Sequence, residues 1–455
     1  MIIKVPLPLK KLAENCSHAL YIVGGYVRNF LISGMTSKDI DIAGAISVKE
    51  MKEAAEKCGF KVCAEYKRTG TVVLSYWKQK FEFTRFRVDE YEKGGAHKPR
   101  GTLFTDDIDS DALRRDFKCN AVYYDIKNDK LADPLGGAED IKNRVLDTVC
   151  EPERVFCSDG LRLMRLARFA AELNFTPCAR VLEGAKKYAA NISDIAPERI
   201  FDEIKKILVS DATYEFSDKK GHYTGFKILE EIGVLNIIFP EITAGRGLSQ
   251  RADFHKYDVL EHSLRTLLYA DREIRLAAFL HDVGKPYCKI KYGTYRGHAE
   301  AGEKISEEIL TRLKADTKTK KETGFLVRWH MFDLGSSEPE TAIRKFIAAN
   351  EKRFAALIKL KQADYSACKD DFSVCPTVER WTRVYQTMKS DGTPFSLKEL
   401  KISALDLIGI GFKGKAVGEE LAALFDFAVE NPAFNDGYKL RQRAEFDFKQ
   451  FSCGT

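Results

Sequence analysis

Paired cysteines are missing from this chain. Its eleven cysteines are scattered singly and none forms a CxxC pair, so neither a zinc knuckle nor a disulfide framework is indicated and reduced thiols are expected. No apolar run approaches the length of a membrane span, and no membrane partner is expected. The first residues, MIIKVPLPLKKLAENCS, lack a charged start, an apolar core and a small-residue cleavage site, which favours a cytoplasmic location. Long low-complexity stretches and repeats of solenoid period are absent as well, excluding a linker-rich or solenoid architecture.

What is present is an ordinary globular composition, 44% hydrophobic and 31% charged, over 455 residues. That length predicts two to four domains. The net charge of +6, from 73 basic and 67 acidic residues, is compatible with a polyanionic partner without establishing one. The first third alternates strand-like and helix-like segments. ALYIVGGYVRNFLIS reads as strand, turn and helix, KDIDIAGA as strand, VKEMKEAAEKCGF as amphipathic helix, and TVVLSYW with KFEFTRFRV as a hairpin. From Glu151 onward the pattern is almost wholly helical, with a linker expected over Asp370 to Thr377.

Three features near the amino terminus carry chemistry. Asp39-Ile40-Asp41 places two carboxylates on one strand face, where they repel unless a cation lies between them. Magnesium suits such a site because it binds one or two carboxylates and completes its shell with water and phosphate oxygens. Upstream, Val23-Gly24-Gly25 leaves a strand and enters a helix bearing Arg28, so backbone N–H groups can approach a phosphate. Downstream, Glu82 lies between Phe81 and Phe83 and offers a third carboxylate facing away from the core. Taken singly, each has a plainer reading: a solvated strand end, a tight turn, a surface residue.

Together with later segments they form an ordered series. Gly24-Gly25-Tyr26-Val27-Arg28-Asn29 with Asp39 and Asp41, Leu113-Arg114-Arg115-Asp116-Phe117 with Asn120, Asp133-Pro134-Leu135-Gly136-Gly137 with Asp140, Phe156 to Arg162 continuing to Arg168-Phe169, and Pro197-Glu198-Arg199-Ile200 with Glu203 resemble the five motifs of class II tRNA nucleotidyltransferases and bacterial poly(A) polymerases. The resemblance covers roughly the first 210 residues. It implies that Asp39 and Asp41, with Glu82 contributing, hold two magnesium ions. It also implies that Gly24, Gly25, Arg28, Arg114, Arg115, Asp116 and Asn120 help to bind the nucleotide. Arg114 and Arg115 have a second reading, as charges paired with the nearby Asp109 and Asp111.

Asp159 and Arg162 lie three apart on a predicted helix and share a face. An aspartate accepts hydrogen bonds and an arginine donates them. Cytosine and adenine both present an amino donor beside a ring-nitrogen acceptor, whereas uracil and guanine place a carbonyl where the amino group should be. A mismatch leaves buried groups unpaired at about 1–3 kcal/mol. The family is similar in using this Asp-x-x-Arg element to choose bases, although its usual glutamate before the aspartate is Ser158 here. Arg165 and Arg168 extend the stripe at three-residue steps, either toward phosphate or a base or as an exposed basic face. The long loop from Asp89 to Asp109, with Gly94, Gly95 and Gly101, is expected to reshape the pocket between C and A addition.

The central region holds His262, His281-Asp282, His298, His330 and Asp364. Histidine with aspartate suits a divalent transition metal, and the set resembles an HD phosphohydrolase domain with its metal residues intact. In the tail, Gly409 to Gly414 with Lys413 and Lys415 reads either as a phosphate-contacting turn or as a tight helix–helix connection. The expected architecture is therefore α+β: a small mixed-sheet head resembling polymerase beta over residues 1–148, then a helical neck over 149–225, an HD domain over 226–372 and a helical tRNA-binding tail over 373–455. The expected reaction is addition of CCA to tRNA from CTP and ATP. Poly(A) synthesis, A-only or CC-only addition, and HD phosphohydrolysis of RNA ends are the alternatives.

Overall fold

The computed structural model describes residues 3–37, 39–90 and 100–452. The chain divides into two compact units, residues 1–243 with 312–315, and residues 244–311 with 316–455. No helix among the described residues is long and apolar enough to cross a membrane.

The first unit begins with a seven-stranded mixed sheet. Its strands are β1 (Leu20–Val23), β2 (Ile40–Gly44), β3 (Lys61–Tyr66), β4 (Thr71–Tyr76) and β5 (Gln79–Arg85), followed after a separate hairpin of β6 (Arg87–Glu90) and β7 (Gly101–Phe104) by β8 (Tyr123–Asp125) and β9 (Lys130–Ala132). The spatial order is β3-β4-β5-β2-β1-β8-β9. β2 and β5 run parallel; the other neighbouring strands of the sheet are antiparallel. Alternation fixes the register: Ile40, Ile42, Phe81 and Phe83 are buried while Asp41 and Glu82 between them are exposed.

Two details differ from the sequence reading. β2 starts at Ile40, so Asp39 precedes the strand, although it still sits on the exposed side. The segment from Asp89 to Asp109 is a loop only in part, because its flanks pair as β6 and β7. Residues 91–99, including Gly94 and Gly95, lie outside the described residues, and the expected reshaping falls largely on them. The helix Val48–Lys57 follows its pattern and is capped by Ser47, whose side chain accepts from the Glu50 N–H. Beyond residue 151 the unit is helical, apart from a two-residue pairing of Val145–Leu146 with Thr176–Pro177.

The second unit is built of helices. One apolar core surrounds Phe354, Leu357 and Trp381, and another gathers Leu407, Leu424 and Leu440. The expected linker is shorter than its sequence suggested, because Pro376 opens the helix Pro376–Ser390. Proline is suited to that position since its missing N–H would have no helical partner there. The Gly411 to Gly414 turn does join two helices, Ala404–Ile410 and Lys415–Glu430.

Candidate active site

The parallel pairing of β2 with β5 sets Asp41 directly beside Glu82, and the antiparallel pairing of β1 with β2 sets Val23 beside Asp41. The chain then turns at Gly24 (φ +77°), and a Cβ there would lie 3.3 Å from Asp41 Oδ2. Glycine serves both needs: the left-handed backbone and the close approach to the carboxylate. Desolvation in the cleft and, second, the charge of Glu82 raise the Asp41 carboxyl to about 6. The side chain is still reached by solvent, so the raised value reflects crowding by protein and a neighbouring acid rather than enclosure. An all-carboxylate set of Asp39, Asp41 and Glu82 fits a hard divalent cation such as magnesium, whose charge would relieve that crowding.

A cleft of about 470 Å3 opens beside these acids. Gly24, Gly25, Arg28, Asp39, Asp41, Arg114, Arg115, Asp116, Asn120, Asp159, Arg162, Arg165 and Arg168 all line it. Glu82 lines an adjoining hollow of about 370 Å3 that shares Asp41, Arg114 and Arg115 with the cleft. The structure thus gathers the residues expected to hold metal or nucleotide, whereas Asp133, Asp140 and Glu203 of the sequence motifs line neither the cleft nor the hollow. It adds Arg87, Asp89 and Tyr214 to the lining and brings in Phe169 and Arg199 from the fourth and fifth motifs. Eight arginines and five aspartates line it, an excess of positive charge that favours a polyphosphate.

These arginines are held from behind by carboxylates. Asp111, fully buried, accepts from Arg114 Nε at 2.8 Å, Arg115 Nη2 at 3.0 Å and Tyr123 Oη at 2.7 Å. Burial alone would raise the Asp111 carboxyl, but Arg115 and Arg114 outweigh it and hold it below its ordinary value. The paired reading of Arg114 and Arg115 therefore holds through Asp111, and both still reach the cleft. Asp116 accepts from Arg165 Nε at 2.7 Å and Asn120 Nδ2 at 3.0 Å. Arg168 donates to Glu203 at 2.6 Å and Glu172 at 3.0 Å. Arg28 is buried and donates to Asn120 Oδ1 at 2.5 Å and Tyr214 Oη at 3.1 Å. The guanidinium groups of Arg28, Arg165 and Arg168 stand over the single ring of Phe169, at 5.1, 5.0 and 4.1 Å.

Asp159 is not inside a helix as its spacing suggested. It is extended (φ −154°, ψ 105°) between the helices Pro152–Ser158 and Leu161–Leu173. Its Oδ1 accepts from the Leu161 N–H at 2.9 Å, and its carbonyl accepts from the Arg162 N–H at 3.0 Å. A carboxylate at a helix start takes up unpaired N–H groups, so a local break places Asp159 beside Arg162. Burial raises the Asp159 carboxyl, against the pull of the Leu161 N–H and Arg162. Arg162 donates to Ser158 Oγ at 3.0 Å and to the Arg114 carbonyl at 2.5 Å. Ser158 thus supplies a supporting contact where the usual glutamate is replaced.

The six histidine and aspartate residues of the central region also converge. His262 Nε2 lies 2.9 Å from Asp364 Oδ1 and 3.3 Å from His281 Nε2. His298 and His330 approach each other at 3.2 Å and approach Asp282 Oδ1 at 3.3 and 3.6 Å. Two groups able to hold a cation share Asp282: His262 with His281, and His298 with His330. His281 and Asp282 occupy the turn between the helices Arg275–Leu280 and Gly284–Tyr292, not a helix interior. Gly284 lets that turn press on the next helix, since a Cβ there would lie 2.1 Å from the His298 carbonyl oxygen. Burial would lower the His281 imidazole, but Asp282 and Asp364 push it up to about 10. Burial brings His330 down to about 4. Lys285, unnamed in the sequence reading, reaches Asp282 Oδ2 at 2.6 Å.

Comparison with known proteins places this geometry in context. The Poly A polymerase head domain matches residues 20–147, a probable RNA and SrmB-binding site of polymerase A matches residues 174–245, and the HD domain matches residues 259–366. An A-adding tRNA nucleotidyltransferase of Deinococcus radiodurans is 32% identical over 343 residues, 70% of this chain and 74% of that protein. A multifunctional CCA protein of Acinetobacter baumannii is 28% identical over 318 residues, 66% and 71% of the two chains. Among solved structures, the Bacillus stearothermophilus CCA-adding enzyme in complex with CTP aligns with a TM-score of 0.65 at 22% identity, over 99% of this chain and 100% of the other. The Thermotoga maritima CCA-adding enzyme complexed with tRNA aligns with a TM-score of 0.61 at 16% identity, over 97% and 94%. These two likenesses speak for the fold.

Proposed function

This chain belongs to the tRNA nucleotidyltransferase family, and we propose that it completes the 3′ end of tRNA by adding CCA from CTP and ATP with release of pyrophosphate. The observation that carries the reading is one cleft lined both by Asp39 and Asp41 and by Asp159 and Arg162. Asp39, Asp41 and Glu82 are the residues that would hold magnesium. A cation held there would supply Lewis-acid activation of the attacking 3′ hydroxyl and charge neutralisation for the leaving pyrophosphate. Arg114, Arg115 and the Gly24-Gly25 turn orient the triphosphate. Asp159 accepts from the amino group of cytosine or adenine, and Arg162 donates to the adjacent ring nitrogen. A uracil or guanine carbonyl in the same place faces the carboxylate and is rejected. The division into head, neck, HD domain and tail, with tRNA held along the helical parts, belongs to this proposal.

A-only addition is the second reading. It is favoured by the 32% identity to a relative named for A addition. The purified full chain, given tRNA lacking CCA with CTP, ATP or both, separates the two by product length at nucleotide resolution. Full addition yields CC with CTP alone and CCA with both. Activity confined to adding A onto tRNA already ending in CC would overturn it.

The HD cluster is proposed to hold a divalent transition metal through His262, His281, Asp282 and Asp364, with His298 and His330 as further ligands. The donor set, four imidazoles and two carboxylates, suits such an ion. Hydrolysis of phosphate esters at RNA ends is the activity proposed for it. A His281→Ala variant tested for metal content and phosphatase activity checks the assignment: retention of both would remove it.

A further inference from the structure

A second set of donor atoms lies beside the HD cluster. A ring nitrogen of His255, a ring nitrogen of His262 and the sulfur of Cys368 all fall within 4.8 Å of one another. His255 and Cys368 lie outside residues 259–366, the segment matched by the HD domain. We propose that His255, His262 and Cys368 form a separate site for a soft divalent metal ion of the zinc type, bound by two imidazole nitrogens and one thiolate.

The donor set differs in kind from its neighbour. The HD cluster offers imidazole and carboxylate, whereas this group adds a sulfur, the ligand that selects zinc over magnesium or calcium. His262 has two ring nitrogens, of which the HD cluster engages one. Its Nε2 faces Asp364 and His281, while its Nδ1 is buried without a hydrogen-bond partner, as is Nδ1 of His255. An unsatisfied buried polar atom costs about 1–3 kcal/mol. Here two occur in rings that meet edge to face, with centroids 4.9 Å apart. Metal ligation through these nitrogens would satisfy both.

The backbone holds the parts in place. Cys368 follows Asp364 by four residues on the helix Glu351–Lys369, so the two side chains share a face. The Cys368 carbonyl accepts from the Lys256 N–H at 2.9 Å, tying the loop that bears His255 to that helix. Tetrahedral zinc, with bonds of about 2.0–2.1 Å to nitrogen and about 2.3 Å to sulfur, sets its donors about 3.3–3.7 Å apart, so these three, now within 4.8 Å of one another, would draw together on binding. Cys368 is half-buried, which gives an ion an entry path, and three protein ligands leave the fourth tetrahedral position to water. Loading the site releases the Cys368 thiol proton. Loading both sites would also require His262 to give up its remaining N–H proton, because each ring nitrogen would then serve one site.

The proposal is independent of nucleotidyl transfer and shares only His262 with the HD reading. The test is titration of the chelator-treated full chain with Co2+, followed through the near-ultraviolet thiolate-to-cobalt charge-transfer band. We expect the band in the wild-type protein, its loss in Cys368→Ser and in the loop variant His255→Ala, and one fewer bound ion per chain in each. It should persist in His298→Ala, which alters only the HD cluster. Far-ultraviolet circular dichroism checks that each variant folds. Absence of the band from the wild-type protein, or its survival in both Cys368→Ser and His255→Ala, would overturn the site. Failure of the HD reading registers differently, as no cobalt bound beyond the sulfur-ligated ion.

Discussion

The head cleft and the HD cluster both bring acids against bases, but they dispose of the charge differently. In the cleft, carboxylates stand behind the arginines: Asp111 behind Arg114 and Arg115, Asp116 behind Arg165, and Glu172 with Glu203 behind Arg168. The guanidinium groups are fixed in position and still line an open cleft of about 470 Å3. In the HD cluster the acids and imidazoles face one another, and His262, His281, Asp282 and His330 are almost wholly buried. The first arrangement presents charge to a large polyanion. The second closes on itself, with donor atoms grouped as a metal ion would need them. Preorganised charge at a solvent-reachable surface suits phosphoryl transfer, where positioning and electrostatics supply most of the catalysis.

The strongest way to break this comparison is to remove the acids that face the cleft. An Asp39→Ala/Asp41→Ala double variant should lose about 10^3-fold or more in nucleotide incorporation while keeping its melting temperature, because neither side chain supports the core. Incorporation at the wild-type rate would refute the assignment. Asp111→Ala probes the opposite property. It strands two arginines without their shared partner, and we expect about 3–5 kcal/mol less stability in denaturant unfolding of the variant.

Base choice should respond less steeply. Asp159→Ala is expected to reduce discrimination of CTP and ATP against UTP and GTP by about 10- to 100-fold, read from competing kcat/KM values. The pH dependence carries a definite sign. Burial raises the Asp159 carboxyl, so it gains its proton, and loses acceptor capacity, at a higher pH than an ordinary aspartate. Discrimination should therefore fall as pH is lowered, before exposed carboxylates titrate, and the Asp159→Ala variant should lack that acid limb. The smallest effect is expected from His281→Ala. The cluster belongs to the other compact unit, so CCA addition should stay within about twofold while bound metal declines. A large loss of incorporation would show that the two regions are coupled.

Much of this was legible in sequence because it is local. The strand–turn–helix around Gly24, the alternation of Ile40 and Ile42 with the acids, and the helix Val48–Lys57 follow from period and capping. Where local pattern failed, the failure was at a terminus. Asp39 precedes β2, Asp159 sits in a break between helices, and His281-Asp282 lies in a turn. Each is a residue proposed to carry chemistry, and its irregular backbone is what a periodic pattern does not encode. Cys368 had a readable signal, its four-residue spacing from Asp364, but His255 had none, since a loop brings it to His262.

The sequence by itself determined the kinds of chemistry on offer: a paired carboxylate with a third acid, an Asp-x-x-Arg element pairing an acceptor with a donor, and a set of histidines and aspartates of metal-ligand type. It did so because side-chain chemistry and short spacings survive without a fold. Only the tertiary structure decided which residues meet. Strand pairing set Glu82 against Asp41, Asp111 locked Arg114 and Arg115, and Phe169 gathered onto one ring Arg165 and Arg168 of its own helix and Arg28 of a distant one. Those meetings depend on sheet order and helix packing, which arise from the burial of the whole core rather than from any one segment.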